Sequence, residues 1–153
     1  MLELASIVKA TLEQTILTEL LPKTQIDVFV QVLQSDGGVR GCCINAAIVA
    51  LADASIPLRS LAAACTVGLV DNTPLLDLNY LEDSQRKPTV TMALQTGPGR
   101  VALLQSDQRV KVEDMERMME LGSHGCRAVA TYMRQQLLVH VKHLAKARGP
   151  TNL

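Results

Sequence analysis

Residues Val32–Ala47 read VLQSDGGVRGCCINAA. The run enters as alternating apolar residues and breaks at Gly37 and Gly38. It shows one arginine, Arg40, and leaves as an alanine-rich apolar segment. That pattern predicts a strand, a tight turn and a helix start. Two readings of the turn stay open at this level. Glycines that allow positive φ, the exposed N–H groups of a helix start and a guanidinium can together hold an anion. Alternatively, Asp36 caps the helix and Arg40 is solvated.

Upstream, Leu4, Val8, Leu12, Ile16 and Leu20 recur at every fourth position, which predicts an amphipathic helix over 2–21 ended by Pro22. Ile26, Val28, Val30 and Val32 alternate with Asp27, Phe29, Gln31 and Leu33, which predicts a strand over 26–33. Downstream, CINAAIVALADAS is apolar nearly all round and reads as a buried helix, with SIPLRS as connector. LAAACTVGLV reads as a buried strand, and DNTPLLDLN turns into a second strand to make a hairpin. Val90, Met92 and Leu94 mark a third strand, and RVALLQS, after the turn signal TGPG, a fourth. A long helix is predicted over 113–146, striped by Met115, Met118, Gly122, Cys126, Val129, Met133, Leu137, Val141 and Leu144; Gly122 and Gly125 either bend it or admit a close neighbour. ARGPTNL reads as a frayed tail. The order of helix, strand, helix, several strands and helix predicts an α+β layered protein with a mixed sheet packed by helices.

With 48% apolar residues in 153, the chain can bury one ordinary core, and that core is aliphatic: no Trp, two Tyr and one Phe. Lys plus Arg and Asp plus Glu balance at 15 each, which argues against a free-standing nucleic-acid clamp. Glu3 interrupts any signal-peptide pattern, and no apolar run suggests a membrane span. Cys42, Cys43, Cys65 and Cys126 form no CxxC pair and read as buried free thiols of a reducing compartment, cytoplasm or nucleus.

LLDLNYLEDS carries a second candidate group. Asp77 and Asp83 lie six residues apart, about 20 Å on a continuous strand, and become neighbours only if Asn79 and Tyr80 host a turn. Two close carboxylates bind a divalent cation or supply a general acid; a solvated acidic loop is the alternative. His140 and His143 share a helix face, but two ligands make only half a zinc site, so a solvated face is expected.

Taken together, IDVFVQVLQSDGGVR, CINAAIVALADASIPLRSL, LLDLNYLEDS and VALLQSDQRV resemble the RNase PH family of phosphorolytic exoribonucleases, in the family's order and spacing over residues 2–146. Within it the chain is most similar to the ring subunits of the RNA exosome that keep the acidic pair. The resemblance implies an RNase PH-type fold, with residues 1–54 as the end of a first subdomain and 55–153 as a second. The family's unit starts upstream of Met1, so its N-terminal half would be missing and apolar surface on 2–21 and 26–33 exposed. The resemblance also implies 3′-to-5′ RNA processing and degradation, in which inorganic phosphate attacks the last phosphodiester and releases a nucleoside diphosphate. Gly37, Gly38, Val39, Arg40 and Gly41 would bind the phosphate. Asp77 and Asp83 would serve catalysis and a magnesium ion. The implied partners are other RNase PH-type subunits in a hexameric ring and a single-stranded RNA 3′ end, with neither DNA nor membrane. The implied location is nucleus, nucleolus and cytoplasm. A free-standing RNase PH trimming transfer RNA is the alternative within the family.

Two departures stand in the turn itself. Val39 and Gly41 occupy positions where the family usually has Ser or Thr. The loss of two hydroxyl donors predicts weakened phosphate binding, and this chain alone is expected to be inactive, although the presence of Asp77, Asp83 and Arg40 favours an active enzyme as the alternative.

Overall fold

The computed structural model describes residues 2–84 and 87–148. Its elements are α1 (Leu2–Thr15), α2 (Val39–Asp53), β1 (Ala62–Val70), β2 (Thr73–Leu76), α3 (Tyr80–Asp83), β3 (Thr89–Gln95), β4 (Arg100–Ser106) and α4 (Val112–Arg148), with a single 3-10 turn at Thr18–Leu20. The α+β arrangement follows the sequence pattern. The sheet, in order β2-β1-β3-β4, is antiparallel at every pairing, where a mixed sheet was expected. The hairpins dictate this. Val70 pairs with Thr73 across Asp71 and Asn72, both at positive φ (48° and 62°), the backbone of a two-residue primed turn whose twist matches the strands. Gln95 pairs with Arg100 across TGPG, where Gly99 takes φ 68°.

The long helix α4 crosses β1, β2 and β3, burying Met118, Cys126, Ala130 and Met133. Gly122 and Gly125 admit close neighbours. A Cβ on Gly122 would stand 3.3 Å from Val67 and Met92, and one on Gly125 would stand 2.6 Å from Leu76. At about 1.5 Å per residue the 37 residues of α4 span roughly 55 Å, longer than any strand here. Its C-terminal stretch therefore overhangs the sheet, leaving Leu138, Val141 and Leu144 exposed. Of the expected tail ARGPTNL, residues 149–153 lie outside the described residues.

Between β1 and α4, the Cys65 and Cys126 sulfurs approach to 3.3 Å, with Cys65 donating to Gly122 O. The hydrogen bond between the two thiols holds Cys65 well above its ordinary pKa and lowers that of Cys126. All four cysteines are free; Cys43, Cys65 and Cys126 are buried as expected, whereas Cys42 is exposed.

Helix α2 packs against β1 where β2 stops. Because β2 pairs only Val67–Val70, the backbone of Ala64 lacks a partner strand on that side. The Asn45 side chain takes both groups: Nδ2 donates to Ala64 O (2.8 Å) and Oδ1 accepts from Ala64 N (2.7 Å). Ile44, Ala47, Ile48 and Leu51 fill the core beneath, against Ile7, Val8, Leu12 and Ile16.

Two expected elements differ. The predicted helix 2–21 ends at Thr15, because Leu17 N donates to Pro57 O and Arg59 N to Thr15 O, which diverts the backbone into a short antiparallel bridge between Ile16 and Leu58. The predicted strand 26–33 does not form. Its alternation is real, but a strand exists only where a neighbour completes its hydrogen bonds, and no described residue does so. Phe29 (94% exposed) and Leu33 (89%) stand in solvent.

Candidate functional site

The glycine turn and the acidic segment are seated on each other. Gly37 has φ +94°, and a Cβ there would lie 2.1 Å from Leu78 O. Gly38 has φ +58°, and a Cβ there would lie 2.8 Å from an Asp77 carboxylate oxygen. At Gly37, where the opposing atom is backbone, only glycine allows both the conformation and the approach. Asp36 does not cap α2. Its Oδ1 reaches across and accepts a hydrogen bond from Tyr80 N (3.1 Å), fastening the turn to the start of α3.

With Asp36 engaged elsewhere, no side chain caps α2. Its first intrahelical bond of this turn runs from Cys42 N to Gly38 O, so Val39, Arg40 and Gly41 supply the N–H groups that a helix start leaves unpaired. These groups and the helix dipole favour an anion. Val39 turns its side chain to the core. Gly41 is buried, with its Cα facing Ala64 and Cys65 of β1 at ordinary contact distance for a Cβ. What these two positions present to an anion is therefore backbone.

The acidic segment turns where the sequence reading placed the turn. Asn79 and Glu82 form a capping box: Glu82 N donates to Asn79 Oδ1 (2.9 Å) and Asn79 N to Glu82 Oε2 (3.0 Å). Asp83 N donates to Asn79 O, so Asp83 sits one helical turn beyond the cap. Asp77, at φ 60°, donates its N–H to Thr66 O of β1. Leu78 is the anchor between them. It is 2% exposed, and its Cδ1 lies 2.1 Å from where a Cβ of Gly68 would be. The side chain fills a notch that exists because residue 68 has none.

Arg40 is held by two carboxylates. Its Nη1 donates to both carboxylate oxygens of Asp107 at 2.6 Å, and its Nη2 lies 3.4 Å from Glu3 Oε1. Asp107 in turn accepts from Thr89 Oγ1 (3.1 Å) and donates its N–H to Thr89 O, while Gln105 Nε2 donates to Glu3 (3.2 Å). Sequence reasoning missed Asp107 and Glu3. The available signal was an acid directly after the last strand residue, in QSDQRV.

Among the described residues no three His, Cys, Asp or Glu side chains group to hold a metal ion. Magnesium asks for less. It takes one or two carboxylates and completes its shell with water and phosphate oxygens. Asp77 and Asp83 satisfy that donor set in kind and number. His140 Nε2 lies 3.2 Å from Asp53 Oδ1, and both are half exposed, a surface pair between α4 and α2. Among the described residues no helix is long and apolar enough to cross a membrane.

The chain matches two family models, "3′ exoribonuclease family, domain 1" over residues 1–57 and "domain 2" over residues 60–125. It is 48% identical over 147 residues to the exosome complex component RRP41 homolog of Arabidopsis thaliana, covering 96% of this chain and 61% of the relative. It is 40% identical over 141 residues to exosome complex component RRP41 of Homo sapiens, covering 92% and 58%. It thus spans about three fifths of the length of these relatives. The crystal structure of rice (Oryza sativa) Rrp46 superposes with a TM-score of 0.82 at 29% identity, covering 88% of this chain and 64% of that one. An RNA-bound exosome structure from Archaeoglobus fulgidus shares the fold (TM-score 0.65, 18% identity). The chain belongs to the RNase PH-type 3′ exoribonuclease family.

Proposed function

We propose that this chain is an RNase PH-type ring subunit of an RNA exosome, acting in 3′-to-5′ RNA processing and degradation in nucleus and cytoplasm, and that residues 36–41 and 77–83 are its phosphorolytic site. One observation carries the reading: the anion-favouring start of α2 and the Asp77–Asp83 segment are fastened together through Gly37, Gly38 and Asp36. Phosphorolysis needs that adjacency. Attack of inorganic phosphate on a phosphodiester gathers negative charge and expels a 3′ oxygen that takes up a proton. The N–H groups of Val39, Arg40 and Gly41, with the Arg40 guanidinium, would hold the attacking phosphate. A carboxyl of the Asp77–Asp83 pair would deliver the proton. Magnesium, held by Asp77 and Asp83, would neutralise charge on the phosphate oxygens.

The isolated chain is expected to be inert. Val39 and Gly41 offer no hydroxyl to replace the family's donors. The likeness to exosome components supports a hexameric ring with other RNase PH-type subunits and an RNA 3′ end as substrate. The test uses the purified chain, with and without such subunits, on 3′-labelled single-stranded RNA with phosphate and magnesium. Co-assembly into a mixed ring supports the reading, and failure to co-assemble refutes it. Nucleoside diphosphates released by the chain alone, and abolished by Asp83→Asn, would show that inertness is wrong and that the chain is itself an active exoribonuclease.

A further inference from the structure

Resting on the reading of residues 36–41 as an anion site, we infer that Asp107 is the positioning residue of Arg40. An arginine side chain is long and rotamer-rich, and one that must meet an anion in a fixed pose binds better when already ordered. Asp107 supplies that order. Both of its oxygens accept from Nη1 of Arg40 at 2.6 Å. The carboxylate is itself fixed twice, by Thr89 Oγ1 and by its own N–H on Thr89 O. Thr89 is 6% exposed and opens β3, so the chain of contacts runs from the sheet, through Asp107, to the guanidinium on the first turn of α2.

A carboxylate beside the arginine also opposes an incoming anion. Two facts decide which effect wins. Arg40 has five N–H donors; Asp107 occupies those of Nη1 and Glu3 Oε1 takes one from Nη2 at a longer 3.4 Å, so the remaining donors sit on a guanidinium whose plane is set. The side chains of Arg40 and Asp107 are 29% and 37% exposed, so water and salt screen the repulsion of an anion placed beyond the guanidinium more than they screen the direct 2.6 Å pair that orders Arg40. Asp107 does not touch the anion. It acts through Arg40, and the acid directly after β4 gains a role in the site that its distance in sequence hides.

The test is titration of the full chain with inorganic phosphate, following the amide signals of Gly38 and Gly41 by NMR, with circular dichroism confirming the fold of each variant. Arg40→Ala and Asp107→Ala are each expected to weaken phosphate binding about tenfold, the order of one lost charged contact. Asp107→Asn, which keeps one acceptor, falls between. Thr89→Val, which loosens Asp107 without altering charge, weakens binding less but in the same direction. In an Arg40→Ala background, Asp107→Ala adds no further loss. A purely structural role would instead add to the Arg40→Ala loss, and that result overturns the inference. So does Asp107→Ala binding phosphate as well as the parent while Arg40→Ala does not; the anion site then stands without its positioning residue. If Arg40→Ala binds like the parent, or the parent shows no binding, the site reading falls and the inference with it. If Asp107→Ala fails to fold, unchanged affinity in both Asp107→Asn and Thr89→Val is the refuting result.

Discussion

Replacing Gly37 by alanine tests whether the turn and the acidic segment form one unit. Two effects add. At φ +94° an L side chain is strained by about 2 kcal/mol. The new Cβ would also stand 2.1 Å from Leu78 O, against a floor of 3.0 Å for real Cβ contacts, so the two backbones must part by about 1 Å. That separation breaks the Asp36–Tyr80 hydrogen bond, worth about 1 kcal/mol. The sum is about 3 kcal/mol. Gly99→Ala is the internal control. Its φ is +68°, but nothing lies within 4 Å of its Cβ position, so it bears the strain alone, about 1 kcal/mol. With a urea m-value of about 2 kcal/mol per molar, the midpoint should fall by about 1.5 M for Gly37→Ala and about 0.5 M for Gly99→Ala. The assay is urea unfolding followed by circular dichroism of both variants beside the parent. Equal shifts would refute the reasoning, because the contact between the turn and Leu78 would then contribute nothing.

Two further outcomes are expected. Asn79→Ala removes the capping box that starts α3 and should cost about 1 kcal/mol, read as faster hydrogen exchange of the Glu82 amide with the rest of the protein unchanged. In the folded chain Cys42 alone should react with a thiol reagent, since it is exposed while Cys43, Cys65 and Cys126 are buried; Cys126 stays unlabelled in spite of its lowered pKa until denaturant opens the core, as the mass of labelled protein will tell.

The parts of this fold that sequence revealed are those whose pattern has a local cause. The periodicity of α4, the alanine-rich run of α2 and the strand–turn alternation of residues 62–106 each depend on neighbours close in sequence. The turn at Asn79 was legible for the same reason. Where the reading failed, a distant segment decided. The end of α1 is set by residues 57–59, and the alternation of 26–33 needs a partner strand that no described residue provides. In the site, the glycines and Asp77 could be found from residue type and spacing. Asp36 looked like a helix cap and instead reaches Tyr80, while Arg40 finds Asp107 at 67 residues' separation, a pairing that no local pattern announces.

The contact between Leu78 and Gly68 has a bearing on how such a site is lost. Leu78 occupies the volume that any side chain on residue 68 would claim, and the Leu78 backbone in turn carries Asp77 and receives the glycine turn. The pose of a charged group is thus specified by an empty volume on a neighbouring strand. A single methyl group added there expels the leucine and shifts the acid, leaving every chemically reactive residue in place. Decay of the proposed site therefore has a silent route: a motif that still reads as intact, undone by one carbon atom nine residues upstream of Asp77.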